Sequence, residues 1–160
     1  MTLIETLASA RPGSPLSQAM EKRAEILRLS EAAHDAVLLP REPGGLSHGL
    51  RAALAARMAR HNRSPALASH YDTLVARAGE PATALLAEPD TNVTDPCTAE
   101  IVRHADRLTV APRDATRAHI DALRQLGVTD ADIVRLAELA AFVNYQVRVL
   151  AGLKLLGDMR

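Results

Sequence analysis

The chain is poor in aromatic residues and cysteine, and it has no segment dominated by basic residues. Its 160 residues include one phenylalanine, two tyrosines, no tryptophan and one cysteine. Because Cys97 stands alone, an intrachain disulfide framework and a cysteine-rich zinc site are excluded. Lysine plus arginine and aspartate plus glutamate number 19 each. A neutral chain without a basic patch gives no indication of nucleic-acid binding.

Signals for secretion or membrane insertion are also missing. Glu5 and Arg11 interrupt the first residues, where a signal peptide has a basic start followed by an apolar centre. No run of about 18 apolar residues occurs without a charge. We therefore expect a soluble cytoplasmic protein that does not enter a membrane.

Alanine and leucine dominate, and runs of β-branched residues are scarce, which favours helix over strand nearly throughout. Segments rich in turn-forming residues lie at 11–15, 40–45, 79–96 and 126–132. Between them the apolar spacing predicts helices, the first from about Ser17 to Leu38. Ser47 and Thr98 are placed to cap two later helices, and another has Pro65 at its first position and Gly79 at its end. The segment 79–96 is long for a loop in a compact domain, so we interpret it as a flap or as an arm that covers a partner.

The last predicted helix is the most informative. Thr129 is placed to cap it, with Asp132 at the third helical position, and the helix runs to about Leu156. Apolar residues occupy two of its sides, so it is either central or covered by another subunit. These patterns predict an all-α bundle that forms a homo-oligomer.

The run "AEIVRHADRLTVAPRDATRAHIDALRQLGVTDADIVRLAELAAFVNYQVRVLAGL", residues 99–153, resembles the C-terminal half of AhpD-like alkylhydroperoxidases of the carboxymuconolactone decarboxylase superfamily. The resemblance implies one AhpD-like bundle over 1–160, with roughly six or seven helices that associate through their faces. The expected parts are a helical extension at 1–45, a helix pair at 46–80 and C-terminal helices at 97–156.

Peroxidase members of that superfamily carry a Glu-x11-Cys-x-x-Cys-x-x-x-His motif, in which a thiolate attacks peroxide and a second cysteine closes the disulfide. An ungapped match on Arg51 places Ala52 at the glutamate. It places Ser64 and Leu67 at the two cysteines and Tyr71 at the histidine. A shift of one residue brings His70 to the histidine position but leaves the cysteine pair absent. The helix pair is therefore interpreted as a degenerate redox motif.

Three functions remain open after this loss. The first is a non-redox scaffold, or a partner subunit of a cysteine-bearing AhpD-like protein. The second is a cysteine-independent decarboxylase or isomerase acting on a small organic acid. The third is a weak peroxidase that uses Cys97, for which the N-terminus of a helix is expected to lower the pKa of the thiol. None of these requires a cofactor.

Candidate catalytic residues lie at the degenerate motif. Ser64 and His70 are a candidate nucleophile and base, with Tyr71 beside them and Cys97 as a separate nucleophile. No third group that would orient the histidine is visible in the sequence, and Ser64 is also a natural helix cap.

Candidate binding residues are Asn144 and Arg148, polar groups within the apolar last helix, and His61 at a helix end. Arg148 is suited either to a substrate carboxylate or to a lock between helices of two subunits. Glu100 and His104 lie one helical turn apart, and we interpret them as a surface ion pair. We expect no metal site.

Overall fold

The computed structural model describes residues 1–158, which contain no strand. The helices are α1 (Leu3–Ala8), α2 (Pro15–Glu21), α3 (Ala24–Leu38), α4 (His48–His61), α5 (Pro65–Ala78), α6 (Pro81–Ala84), α7 (Pro96–Val110), α8 (Arg117–Gln125) and α9 (Asp130–Asp158), with 3-10 turns at Leu85–Ala87 and Pro112–Asp114. The predicted all-α class is confirmed. The number of helices is higher than expected because the N-terminal part is broken into short pieces.

The predicted helix from Ser17 to Leu38 is in fact two helices. Ser14 begins the first of them, since its hydroxyl accepts from the Ser17 amide at 3.1 Å and Pro15 takes the first helical position. At Arg23 the backbone leaves helical geometry, with φ −117° and ψ 18°. The break lets α3 take its own direction and pack against α9.

Helix α4 is the centre of the bundle. Every residue from Gly49 to Ala59 is buried, and the helix packs against α5, α7 and α9. Ser47 caps it by accepting from the Leu50 amide at 3.1 Å, as predicted. The many alanines on α4 allow its neighbours to approach closely on all sides.

Helix α9 has one buried side and one exposed side. Leu136, Leu139 and Val143 are completely buried, whereas Val134 and Leu155 are mostly exposed. By length and composition alone, α9 is long and apolar enough to cross a membrane, although a core helix of a bundle passes the same test. Its contacts with α1, α3, α4 and α7 make it a core helix of this domain.

The segment 79–96 is held against α4 and is not a flap, while its predicted role of covering a partner stays a prediction. Gly79 ends α5 in the left-handed conformation (φ 65°), after which α6 and the 3-10 turn fold back onto α4. Leu86 and Ala87 are buried there. The Arg57 guanidinium of α4 donates to the main-chain carbonyls of Glu88 and Pro89 at 2.6 and 2.7 Å. These bonds hold the segment against the core.

Candidate functional site

The turn between α4 and α5 carries the degenerate motif. Arg63 adopts a left-handed conformation with φ 53°, and the Ser64 amide donates to the Ala59 carbonyl at 2.9 Å. Pro65 then occupies the first position of α5, as predicted. Ser64 is the residue before the helix, but its hydroxyl makes no capping bond.

Core side chains fill the other motif positions. Ala52 is 2% exposed, and Leu67 and Tyr71 are completely buried. The Tyr71 hydroxyl donates to the Oε1 atom of Gln146 on α9. Burial raises the pKa of the Tyr71 phenol above its ordinary value, so this group is a neutral hydrogen-bond donor. The motif positions are thus occupied by packed core side chains.

A histidine pair lies beside Tyr71. The Nε2 atoms of His70 on α5 and His34 on α3 are 2.9 Å apart. The His34 ring is buried and stacks on Tyr71, with centroids 6.4 Å apart and planes 9° from parallel. Burial, and then the proximity of His34, lower the pKa of His70 from 6.5 to about 4. His70 is therefore neutral at pH 7.

An aspartate orients this pair. The Asp35 carboxylate lies 3.0 Å from Nδ1 of His34, which fixes a proton on that nitrogen. Nε2 of His34 is then an acceptor, and Nε2 of His70 donates to it. This leaves Nδ1 of His70 with a free lone pair and without a hydrogen bond in residues 1–158. The chain Asp35–His34–His70 is thus an acid–base relay in form.

His34 and Asp35 are not among the site residues that the sequence predicts. His34 is the orienting partner of His70 that is not visible in the sequence. The available signal was the spacing of Leu27, His34 and Leu38, which places a histidine on the buried stripe of α3. A histidine at such a position must find a hydrogen-bond partner inside the fold. The predicted pairing of Ser64 with His70 is absent from the hydrogen bonds of residues 1–158, where His70 pairs with His34 instead.

His61 lies in a separate ionic cluster. Its Nε2 atom is 3.0 Å from the Asp106 carboxylate of α7. The Arg57 guanidinium binds the same carboxylate with two hydrogen bonds of 2.7 and 2.8 Å. This bidentate pair joins α4 to α7.

The two candidate binding residues of α9 differ in burial. Asn144 is 7% exposed. It accepts from the Asn62 amide at 3.0 Å and donates to the Ala140 carbonyl at 2.8 Å. Arg148 is exposed, and its guanidinium donates to the Asn144 carbonyl within the same helix. Arg148 thus lies on the exposed side of α9, and its role toward a substrate carboxylate or a second subunit stays a prediction.

Helix α7 corrects two further expectations. Burial and the nearby Asp95 carboxylate raise the pKa of the Cys97 thiol, opposite to the effect expected from a helix N-terminus. Glu100 and His104 are both buried rather than on the surface, and Glu100 pairs with Arg103. Residues 1–158 contain no group of three or more His, Cys, Asp or Glu side chains arranged to hold a metal ion.

The fold described above is that of the AhpD core. An uncharacterized peroxidase-related protein of Ralstonia eutropha JMP134, described as an alkylhydroperoxidase AhpD core, superposes with a TM-score of 0.71 at 22% identity over 84% of this chain and 71% of that one. An uncharacterized peroxidase-related protein of Silicibacter sp. TM1040 superposes with the same TM-score and identity over 81% of this chain and 68% of that one.

No protein-family model matches the sequence, and no curated protein matches it either. At 22% identity the two solved structures establish the shared fold and nothing finer. The resemblance inferred from residues 99–153 is thereby confirmed at the level of the fold.

Proposed function

We propose that this chain is an AhpD-fold protein without thiol redox chemistry, which works as a structural subunit that assembles with a second copy of itself. The observation that carries the proposal is the state of the motif positions. Leu67 and Tyr71 are completely buried, and the Tyr71 hydroxyl is held by Gln146. A reaction centre needs access for a substrate, whereas this packing serves stability.

The surface proposed for assembly is the α3–α9 face, defined by Ile26, Leu29 and Tyr145. These three side chains belong to residues that are 51%, 52% and 39% exposed. The Ser30 hydroxyl lies 2.8 Å from the Tyr145 hydroxyl, which places the two helices side by side. Exposed apolar side chains grouped on one surface are typical of an interface. With 19 charges of each sign, two copies carry no net repulsion.

Light scattering after size exclusion, at several protein concentrations, tests this assembly. We expect the wild type to be oligomeric and Leu29→Glu to shift the mass toward the monomer, because a buried unpaired carboxylate opposes the contact. Val110→Glu, a residue 65% exposed at the end of α7, is the matched control and keeps the wild-type mass. A monomeric wild type at every concentration contradicts the proposal. If the chain associates only when a cysteine-bearing AhpD-like protein is added, self-assembly is contradicted and that protein is the partner.

A second candidate function is favoured by the Asp35–His34–His70 relay. The free Nδ1 of His70 suits proton transfer in a cysteine-independent decarboxylase or isomerase acting on a small organic acid. The test is conversion of a panel of such acids by the wild type and by His70→Gln. A loss of about 100-fold or more on substitution, with the oligomer intact, supports an enzyme. His48→Gln, on α4, is the control, since the His48 ring bonds only to the Pro40 carbonyl.

The third alternative, a weak peroxidase based on Cys97, has less support. The thiol is partly buried, and its pKa is raised by burial and by Asp95. Both effects reduce the fraction of reactive thiolate at neutral pH.

A further inference from the structure

The inner side of α7 carries two polar groups without partners. Among residues 1–158, the buried side-chain nitrogen and oxygen atoms that lack a hydrogen bond are Nδ1 of His104 and Nη1 of Arg107. His104 is 2% exposed, and the two residues lie one helical turn apart. Buried polar atoms in folded proteins almost always have a partner, so two orphans together call for a missing group.

Arg107 is half-buried and differs from the buried arginines, Arg51 and Arg57. Arg51 donates to three main-chain carbonyls, those of Leu46, Val37 and Pro43. Arg57 holds the Asp106 carboxylate and main-chain carbonyls. Within residues 1–158, the guanidinium of Arg107 has neither an ion pair nor a hydrogen bond. A partly buried charge without a counterion is costly.

The surroundings of His104 are rich in donors. Burial lowers the pKa of His104, and Arg107 and His119 lower it further, while Glu100 opposes them. Arg103 binds one oxygen of the Glu100 carboxylate, Oε2, and so compensates part of its charge. His119 accepts from the Thr116 amide at its Nδ1 atom, so its other ring nitrogen carries a proton. Hydrogen-bond donors and positive charge are therefore gathered on this part of α7 and α8.

We propose that α7 and α8 hold a small carboxylate anion, bound by the Arg107 guanidinium and by Nδ1 of His104 in the tautomer that carries its proton there. A water molecule satisfies a donor but leaves the charge of Arg107 uncompensated. The two coplanar oxygens of a carboxylate match the geometry of a guanidinium, and charge-assisted bonds of this kind are strong. A metal ion is disfavoured, because the guanidinium is a permanent cation.

Anion-dependent thermal stability tests the site on the full chain. The unfolding temperature is measured as sodium acetate replaces sodium chloride at constant ionic strength, with sodium phosphate as a parallel series. Wild type and Arg107→Met are compared with Arg117→Met, the matched control, whose arginine is on the exposed side of α8. We expect acetate to raise the unfolding temperature of wild type and Arg117→Met, because a ligand that binds only the folded state stabilises it. We expect Arg107→Met to lose the response, with at least a tenfold weaker affinity for acetate by calorimetry.

An equal response of wild type and Arg107→Met, or no response at all, overturns the proposal and leaves water as the occupant. A response to phosphate without one to acetate overturns the carboxylate class. If Arg107→Met does not fold, the ring nitrogen shifts of wild-type His104 are followed by NMR through the acetate titration, with His48 as reference. A change at His104 alone supports the site, and no change overturns it. The site shares no residue with the α3–α9 face, so its failure leaves the proposed assembly untouched.

Discussion

Arg57 and Arg107 are both arginines on packed helices of one bundle, but their surroundings are opposite. Arg57 on α4 is 5% exposed, yet the Asp106 carboxylate and three main-chain carbonyls surround its guanidinium. Arg107 on α7 has no such partner in residues 1–158. The difference shows where the buried polar groups of the described residues are satisfied and where they are not. The Arg57 side chain is satisfied by its own chain, whereas α7 carries two buried polar atoms without a partner in residues 1–158.

The same difference separates the histidines. His34 and His70 satisfy each other, with Asp35 behind them. His104 is buried as deeply as His34, but its Nδ1 atom has no partner. The degenerate motif therefore lies among paired and packed side chains, which favours a structural role for its residues. The buried side-chain atoms without a partner in residues 1–158 lie on another helix, α7.

Removal of Arg57 is the strongest test of the fully paired region around α4. Arg57→Ala leaves Asp106 without its bidentate partner and frees the carbonyls at 86–89, so we expect a loss of about 3–5 kcal/mol in the free energy of unfolding. Urea denaturation measures it. Arg117→Ala, an exposed arginine whose nearest carboxylate oxygen is 3.9 Å away, is the control and changes stability little. An equal loss of unfolding free energy in Arg57→Ala and Arg117→Ala would contradict the stabilising role of the Arg57 bonds.

Acid should weaken the fold through His70. Its pKa is about 4 when folded and 6.5 in the ordinary state, so the unfolded chain binds more protons between these values. The free energy of unfolding therefore rises by on the order of 3 kcal/mol for this group between about pH 4 and pH 6.5. Above that range the contribution of His70 is constant. His104, whose pKa is also lowered, contributes with the same sign. His70→Gln should flatten the curve in part, and a profile identical to wild type would refute the role of His70.

Loss of the Tyr71 hydroxyl should have a smaller effect. Tyr71→Phe keeps the ring in the core but leaves the Gln146 oxygen unsatisfied, which costs about 1–3 kcal/mol. Tyr145→Phe removes a hydroxyl from a residue that is 39% exposed, where water replaces the lost bond. A larger loss at Tyr145 than at Tyr71, measured by thermal unfolding, would reverse the expected order.

Local signals in the sequence were sufficient for much of the fold. Ser47, Pro65 and Gly79 mark helix ends because their backbone and side-chain chemistry acts within a few residues. The prediction of Thr98 as the cap of α7 is wrong. The cap is Asp95, three residues earlier, whose carboxylate accepts from the Thr98 amide. The break between α2 and α3 carries no proline or glycine. The apolar spacing continues across it, and one helix was therefore predicted where there are two.

The site required contacts between distant parts of the chain. His34 and His70 are 36 residues apart, and Tyr71 and Gln146 are 75 apart. No local pattern joins such pairs. The unpartnered state of Arg107 is still harder to foresee, because it is defined by what its neighbours lack. His34 was nevertheless within reach, as a polar residue on a buried stripe.

The measurement that tests the central claim most directly is consumption of an organic hydroperoxide in the presence of a dithiol reductant, comparing wild type with Cys97→Ser. Because the motif positions are packed with Leu67 and Tyr71, we predict that neither protein exceeds the blank containing reductant alone. Turnover by the wild type that disappears in Cys97→Ser would contradict the account and would make Cys97 the nucleophile of a peroxidase.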